Sequence, residues 1–162
     1  IKTAQKVGYD MEVLQAVESV NEKQKSILFN KLMKHFNGDI NGKTIAIWGL
    51  AFKPETDDMR EAPALVLIDK IISVGASVKV YDPIAMPECK RRIGDKVVYC
   101  KDMYEAVVDV DTLLLVTEWK EFRMPSLEVL NKTMKNKVII DGRNIYDAKE
   151  MVESGFDYYK IG

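Results

Sequence analysis

Thr44-Ile45-Ala46-Ile47-Trp48-Gly49-Leu50-Ala51-Phe52-Lys53-Pro54-Glu55-Thr56-Asp57-Asp58-Met59-Arg60-Glu61-Ala62-Pro63 is the stretch whose reading decides the fold. Its first five residues form a short apolar run of β-branched and aromatic type, which predicts a strand over 44–48. The polar, Gly- and Pro-containing run after it predicts a loop over 49–61. Ala62 to Val74 then carries the apolar spacing of a helix that stops at Gly75. Strand, long loop and helix together make the opening unit of a βαβ crossover.

The rest of the domain repeats that unit. Strands are expected at Ser77 to Tyr81 (ended by Asp82-Pro83), Lys96 to Tyr99, Thr112 to Val116, Lys137 to Ile140 and Asp157 to Lys160. Helices are expected between them, at Pro87 to Ile93, Met103 to Val108, Ser126 to Met134 and Ala148 to Ser154. This alternation implies right-handed crossovers, hence an α/β fold with a mostly parallel sheet flanked by helices. Ligands of such folds bind beyond the carboxyl ends of the strands. Three polar loops fall there: 49–61, 117–125 and 141–147.

Upstream, apolar residues recur at Val13, Leu14, Val17, Val20, Ile27, Leu28 and Leu32, close to the helical period from Met11 to Phe36. Gly8 is placed to close a shorter helix, Asp10 to cap this one, and Asn37-Gly38-Asp39 to stop it. About 25 residues at about 1.5 Å each give a helix of roughly 37 Å. That exceeds what a small domain needs, so a long N-terminal helix lying against a partner domain or subunit is expected. Residues 1–38 accordingly read as the end of a helical linking region, and 39–162 as the α/β domain.

A formal net charge of -1 over 162 residues leaves no global electrostatic case for nucleic acid or an anionic membrane. Nor does any apolar run approach the roughly 18 residues of a membrane span. No basic region followed by an apolar one opens the chain, so no signal peptide is visible and the cytoplasm is the expected compartment. A start at Ile1, inside a helical pattern, suggests a piece of a longer protein. Cys89 and Cys100 lack a metal-ligand spacing and His35 is the single histidine, so no metal site is expected and the cysteines read as reduced and inert. No nucleophile has a paired base. No catalytic residue is therefore assigned.

The loops carry cations instead. Loop 49–61 stands where a dinucleotide-binding domain carries GxGxxG, yet only Gly49 is present, so this is not the main NAD-binding unit. Lys53 and Arg60 are each able to meet a phosphate. The alternatives are a solvated lysine for Lys53, and for Arg60 a pair with Asp57, Asp58 or Glu61. Asp57-Asp58 reads as a cap at the start of the following helix rather than a metal pair. In Asp141-Gly142-Arg143-Asn144, Gly142 permits a turn with positive φ, and Arg143 projects from the strand end toward a phosphate or base, or pairs with Asp141. Trp119 and Phe122 read as packing under the sheet edge, with a flat ligand wall as the other possibility.

Gly49-Leu50-Ala51-Phe52-Lys53-Pro54 and Thr56-Asp57-Asp58-Met59-Arg60-Glu61-Ala62-Pro63 closely resemble the signature of the UDP-glucose/GDP-mannose dehydrogenase family. Tyr81-Asp82-Pro83, Thr117-Glu118-Trp119 and Asp141-Gly142-Arg143-Asn144 follow in the family's order, and Val20-Asn21-Glu22-Lys23-Gln24-Lys25 resembles the later part of its central helix. The resemblance implies a Rossmann-like fold and oxidation of a nucleotide sugar's C6 alcohol in two NAD-dependent steps. It further implies that Phe52, Lys53 and Arg143 bind the UDP-sugar, with Lys53 near the phosphates, and that Arg60 reaches NAD. The central helix would serve a homodimer, with an N-terminal Rossmann domain as the in-chain partner. The family's catalytic cysteine lies in a Cys-Phe-Pro-Lys-Asp-like motif that is absent here, so neither Cys89 nor Cys100 is the nucleophile and the chain alone is expected to be inactive. The motifs resemble the UDP-glucose branch more than the UDP-N-acetylmannosamine or GDP-mannose branches. A free-standing UDP-sugar-binding or dimerisation module is the reading from a different class.

Overall fold

The computed structural model describes residues 12–161. Two helices, α1 (Glu12–Lys25) and α2 (Ile27–His35), precede β1 (Thr44–Trp48) and α3 (Pro63–Ser73). There follow β2 (Ser77–Tyr81), α4 (Met86–Ile93), β3 (Val98–Tyr99), β4 (Thr112–Leu115), α5 (Leu127–Thr133), β5 (Val138–Asp141), α6 (Ala148–Glu153) and β6 (Asp157–Lys160). Single 3₁₀ turns stand at Glu105–Val107, where a longer helix was expected, and at Lys120–Phe122.

The sheet order is β3-β2-β1-β4-β5-β6, and every pairing among the described strands is parallel. This is the doubly wound Rossmann order, in which the chain reverses direction across the sheet between β1 and β4. Alternation along β1 divides the core between the two faces. Ile45 and Ile47 join Leu67, Ile71, Val80 and Leu114 on one side. Ala46 and Trp48 join Leu113, Phe122, Leu130 and Met151 on the other. Both faces are thus covered, as a parallel sheet requires.

The N-terminal helical stretch is divided at Ser26 rather than continuous to Phe36. Ser26 N donates to Lys23 O at 3.1 Å, a tightened turn that interrupts the α-helical ladder. Beyond the break, Leu28 and Leu32 of α2 are buried in the sheet core, whereas Val13 of α1 is 67% exposed. The expected roles of Gly8 and Asp10 fall outside the described residues.

Candidate functional site

The site is organised by two buried aspartates at strand ends. Asp82, just beyond β2, is fully buried. Its Oδ2 accepts from Leu50 N (2.7 Å), Ala51 N (3.3 Å) and Trp119 Nε1 (3.1 Å), while Oδ1 accepts from Ile84 N and Ala85 N. Asp141 ends β5, and its carboxylate accepts from the backbone N–H of Arg143, Ile145 and Tyr146 and from the Tyr158 hydroxyl. Buried carboxylates that are saturated with donors are rigid anchors. Together they fix the loops after β1, β4 and β5.

Close approach tightens the same region. Gly49 has φ +93°, and a Cβ there would lie 2.5 Å from Thr117 Cβ. Thr117 Oγ1 in turn donates to Ala51 O at 2.7 Å. Gly142 corrects the expectation made of it, since its φ is not positive; Asn144 supplies the left-handed residue, at φ 55°. What excludes a side chain at 142 is contact: a Cβ would meet Leu115 O at 2.6 Å and Leu28 Cδ1 at 2.9 Å.

Phe52, Lys53 and Arg143 converge on one groove of about 820 Å³, walled on its far side by α1 and α2. Phe52 is 49% exposed, with its ring available to a ligand. Arg143 does not send its side chain to Asp141. Its Nε donates to Val116 O at 2.9 Å and Nη2 to Phe52 O at 3.3 Å, so it ties together the loops after β1, β4 and β5. Glu118 Oε2 lies 3.0 Å from Arg143 Nε. Because that N–H points at Val116 O, Oε2 is buried without a hydrogen bond.

Three groove residues, Lys25, Glu22 and Glu61, are given no site role by the sequence. Lys25 of α1 donates to Glu22 Oε1 at 2.8 Å and to Glu61 Oε2 at 3.0 Å, and lines the groove with both. Its hydrogen bonds to Glu22 and then to Glu61 raise its pKa above the usual lysine value. Lys25 and Glu61 are 36 positions apart, and no spacing rule reports that they meet. Among the described residues Lys53 makes no ion pair, so it is the uncompensated cation of the groove.

Arg60 stands apart. It lies in a separate, open depression with Asp58, Glu88 and Arg92, and its Nε and Nη2 donate to the two oxygens of Asp58 at 3.0 and 2.9 Å. That pairing draws the Asp58 carboxyl down to about 2. The helix cap expected of Asp57-Asp58 is not formed: α3 starts at Pro63 with Ala62 before it, and no side chain caps it. Pro63 at the first turn needs no donor partner there. Trp119 and Phe122 are buried in the core, with Phe122 stacked 5.1 Å from Trp48. Burial raises the thiol pKa of Cys89 and of Cys100, which disfavours a reactive thiolate at either.

Residues 46–148 match the family model for the UDP-binding domain of UDP-glucose/GDP-mannose dehydrogenases. The chain belongs to the UDP-glucose/GDP-mannose dehydrogenase family. All of it aligns with a UDP-glucose 6-dehydrogenase of Pseudomonas aeruginosa at 42% identity, covering 37% of that protein. It aligns equally fully with one of Bacillus subtilis at 41% identity, covering 35%. A solved UDP-glucose dehydrogenase from Pyrobaculum islandicum superposes with a TM-score of 0.83 at 28% identity, over 99% of this chain and 34% of that one. This family member thus spans little more than a third of the length of such relatives. The matched residues 46–148 include Phe52, Lys53 and Arg143, whereas the α1 and α2 side of the groove lies outside them.

Proposed function

We propose that this chain is the nucleotide-sugar-binding part of an NAD-dependent UDP-glucose 6-dehydrogenase, an oxidoreductase converting UDP-glucose to UDP-glucuronate. The observation that carries the reading is the convergence of Phe52, Lys53 and Arg143 on one groove at the switch point of the sheet. Lys53 offers an unpaired ammonium, Arg143 a planar guanidinium suited to phosphate, and Phe52 an exposed ring for the nucleoside or sugar. Relatives above 40% identity carry the UDP-glucose 6-dehydrogenase name, which supports UDP-glucose as the ligand.

NAD would be held mainly by a preceding Rossmann domain. The residues here fit a minor share of it: one glycine follows β1 where a dinucleotide turn needs three, and Arg60 lies exposed in an open depression. Bound there, NAD would supply the hydride acceptor, and Arg60 would contribute one charge to its orientation. Residues 1–38 are proposed as the end of the linking region and as a homodimer surface, supported by the exposed Val13 on α1. Among the described residues no helix is long and apolar enough to cross a membrane. A cytoplasmic location and a place in polysaccharide biosynthesis belong to the same proposal.

The test is NADH formation from UDP-glucose and NAD. The chain alone is expected to form none. Fused behind the N-terminal part of the Pseudomonas aeruginosa relative, it is expected to restore UDP-glucose-dependent NAD reduction. NADH production by the unfused chain, or a folded fusion that binds NAD yet stays inactive, would contradict the reading.

A further inference from the structure

Three cations and three carboxylates line the groove. Lys25 is paired with Glu22 and Glu61, and Arg143 faces Glu118, while Lys53 pairs with none of these. A diphosphate entering the groove must therefore compete with the protein's own carboxylates for two of the three cations.

The two internal arrangements differ in strength. Lys25 donates a hydrogen bond to each of its carboxylates. Glu118 has charge attraction alone: Arg143 commits Nε to Val116 O and Nη2 to Phe52 O, and Glu118 Oε2 is buried with no donor. A carboxylate oxygen withdrawn from water without hydrogen bonds carries a desolvation cost that one unaligned cation offsets poorly. Glu118 regains hydration if it leaves. Arg143 keeps both backbone partners when that happens, so its guanidinium stays held at the groove wall with its Nη1 hydrogens uncommitted. A phosphate oxygen arriving there finds donors already oriented.

We propose that Glu118 is an internal competitor for Arg143, a carboxylate that a nucleoside diphosphate displaces as it binds. The inference rests on the reading of this groove as the nucleotide-sugar site. Glu118 lowers affinity for the diphosphate and leaves that for an uncharged nucleoside untouched, since only the former must evict it. Salt screens both the internal pair and the incoming anion, so the effect is largest at low ionic strength.

Calorimetric titration of the 162-residue chain with UDP and with uridine, at low salt, tests this in the wild type, Glu118→Gln, Glu118→Ala and Lys53→Ala. Each is first checked for a cooperative thermal transition. Both Glu118 variants are expected to bind UDP roughly fivefold more tightly, with uridine unchanged. The two substitutions differ in size, so a fall in stability peculiar to one leaves the other to decide. If both bind UDP as the wild type does, or more weakly, while Lys53→Ala weakens it, Glu118 is a wall or a ligand contact; the competitor role is then wrong and the groove reading stands. If UDP binds neither the wild type nor the Glu118 variants, the groove reading fails and the competitor role fails with it.

Discussion

Asp82 and Trp119 are bonded across the carboxyl ends of the sheet, Trp119 Nε1 donating to Asp82 Oδ2 at 3.1 Å, and the same oxygen takes Leu50 N at 2.7 Å. One buried carboxylate thus holds the loop that carries Lys53 and the loop that carries Glu118. Asp82→Asn keeps the shape but turns a donor toward donors. It is expected to lower unfolding stability by about 2 kcal/mol or more and to weaken UDP binding although residue 82 lies outside the groove. Urea unfolding together with UDP titration reads both effects; an asparagine variant as stable and as tight as the wild type would rule out the shared anchor.

Glycine at 49 and at 142 is required for different reasons. At 49 the positive φ and the 2.5 Å approach to Thr117 act together. At 142 the obstacle is the backbone carbonyl of Leu115. Gly49→Ala is expected to cost about 2–3 kcal/mol, since strain and overlap add. Gly142→Ala is expected to cost about 1–3 kcal/mol and to displace Arg143. Equilibrium unfolding ranks them, and a neutral Gly49→Ala would mean that the β1 loop is not packed on Thr117.

Arg60 and Lys53 lie only seven positions apart, yet they occupy different depressions. Arg60→Ala is therefore expected to leave UDP affinity within about twofold of wild type, the scale of a remote surface charge, and to act only where NAD is also bound. A large loss of UDP affinity in Arg60→Ala would join the two depressions into one site.

Glu88 is held down to about 2 by hydrogen bonds from Arg91 and Arg92. A carboxylate whose folded pKa is depressed contributes stability above its unfolded pKa, near 4.5, and loses it as pH falls toward 2. Wild type and Glu88→Gln are thus expected to differ in urea midpoint at pH 7 and to converge near pH 2. The exposure of Arg91 keeps the difference small. A gap that persisted to the acid end would show that charge is not its origin.

The parallel α/β core was legible because both faces of the central strands β1, β4 and β5 are buried, so apolar runs such as Thr112 to Leu115 announce themselves. So were the loops at strand ends, with Phe52, Lys53 and Arg143 on them. Strand order was not, since local pattern says nothing of which edge a crossover returns to. The break at Ser26 was not legible, because the sequence continues the helical period across it; Leu28 and Leu32, just beyond it, are buried in the sheet core. Asp57-Asp58 misled because the loop runs on to Pro63 and uses Asp58 to hold Arg60. Lys25 and Glu61, 36 positions apart, meet only in the folded chain.

The most direct measurement is calorimetric titration of the chain with UDP and GDP, alongside Lys53→Ala and Arg143→Ala. Saturable binding that prefers UDP is expected, weakened about tenfold or more by each substitution, as loss of a charge-assisted phosphate contact requires. Equal binding of UDP and GDP, or affinities unchanged by both substitutions, would contradict a nucleotide-sugar site built on Lys53 and Arg143.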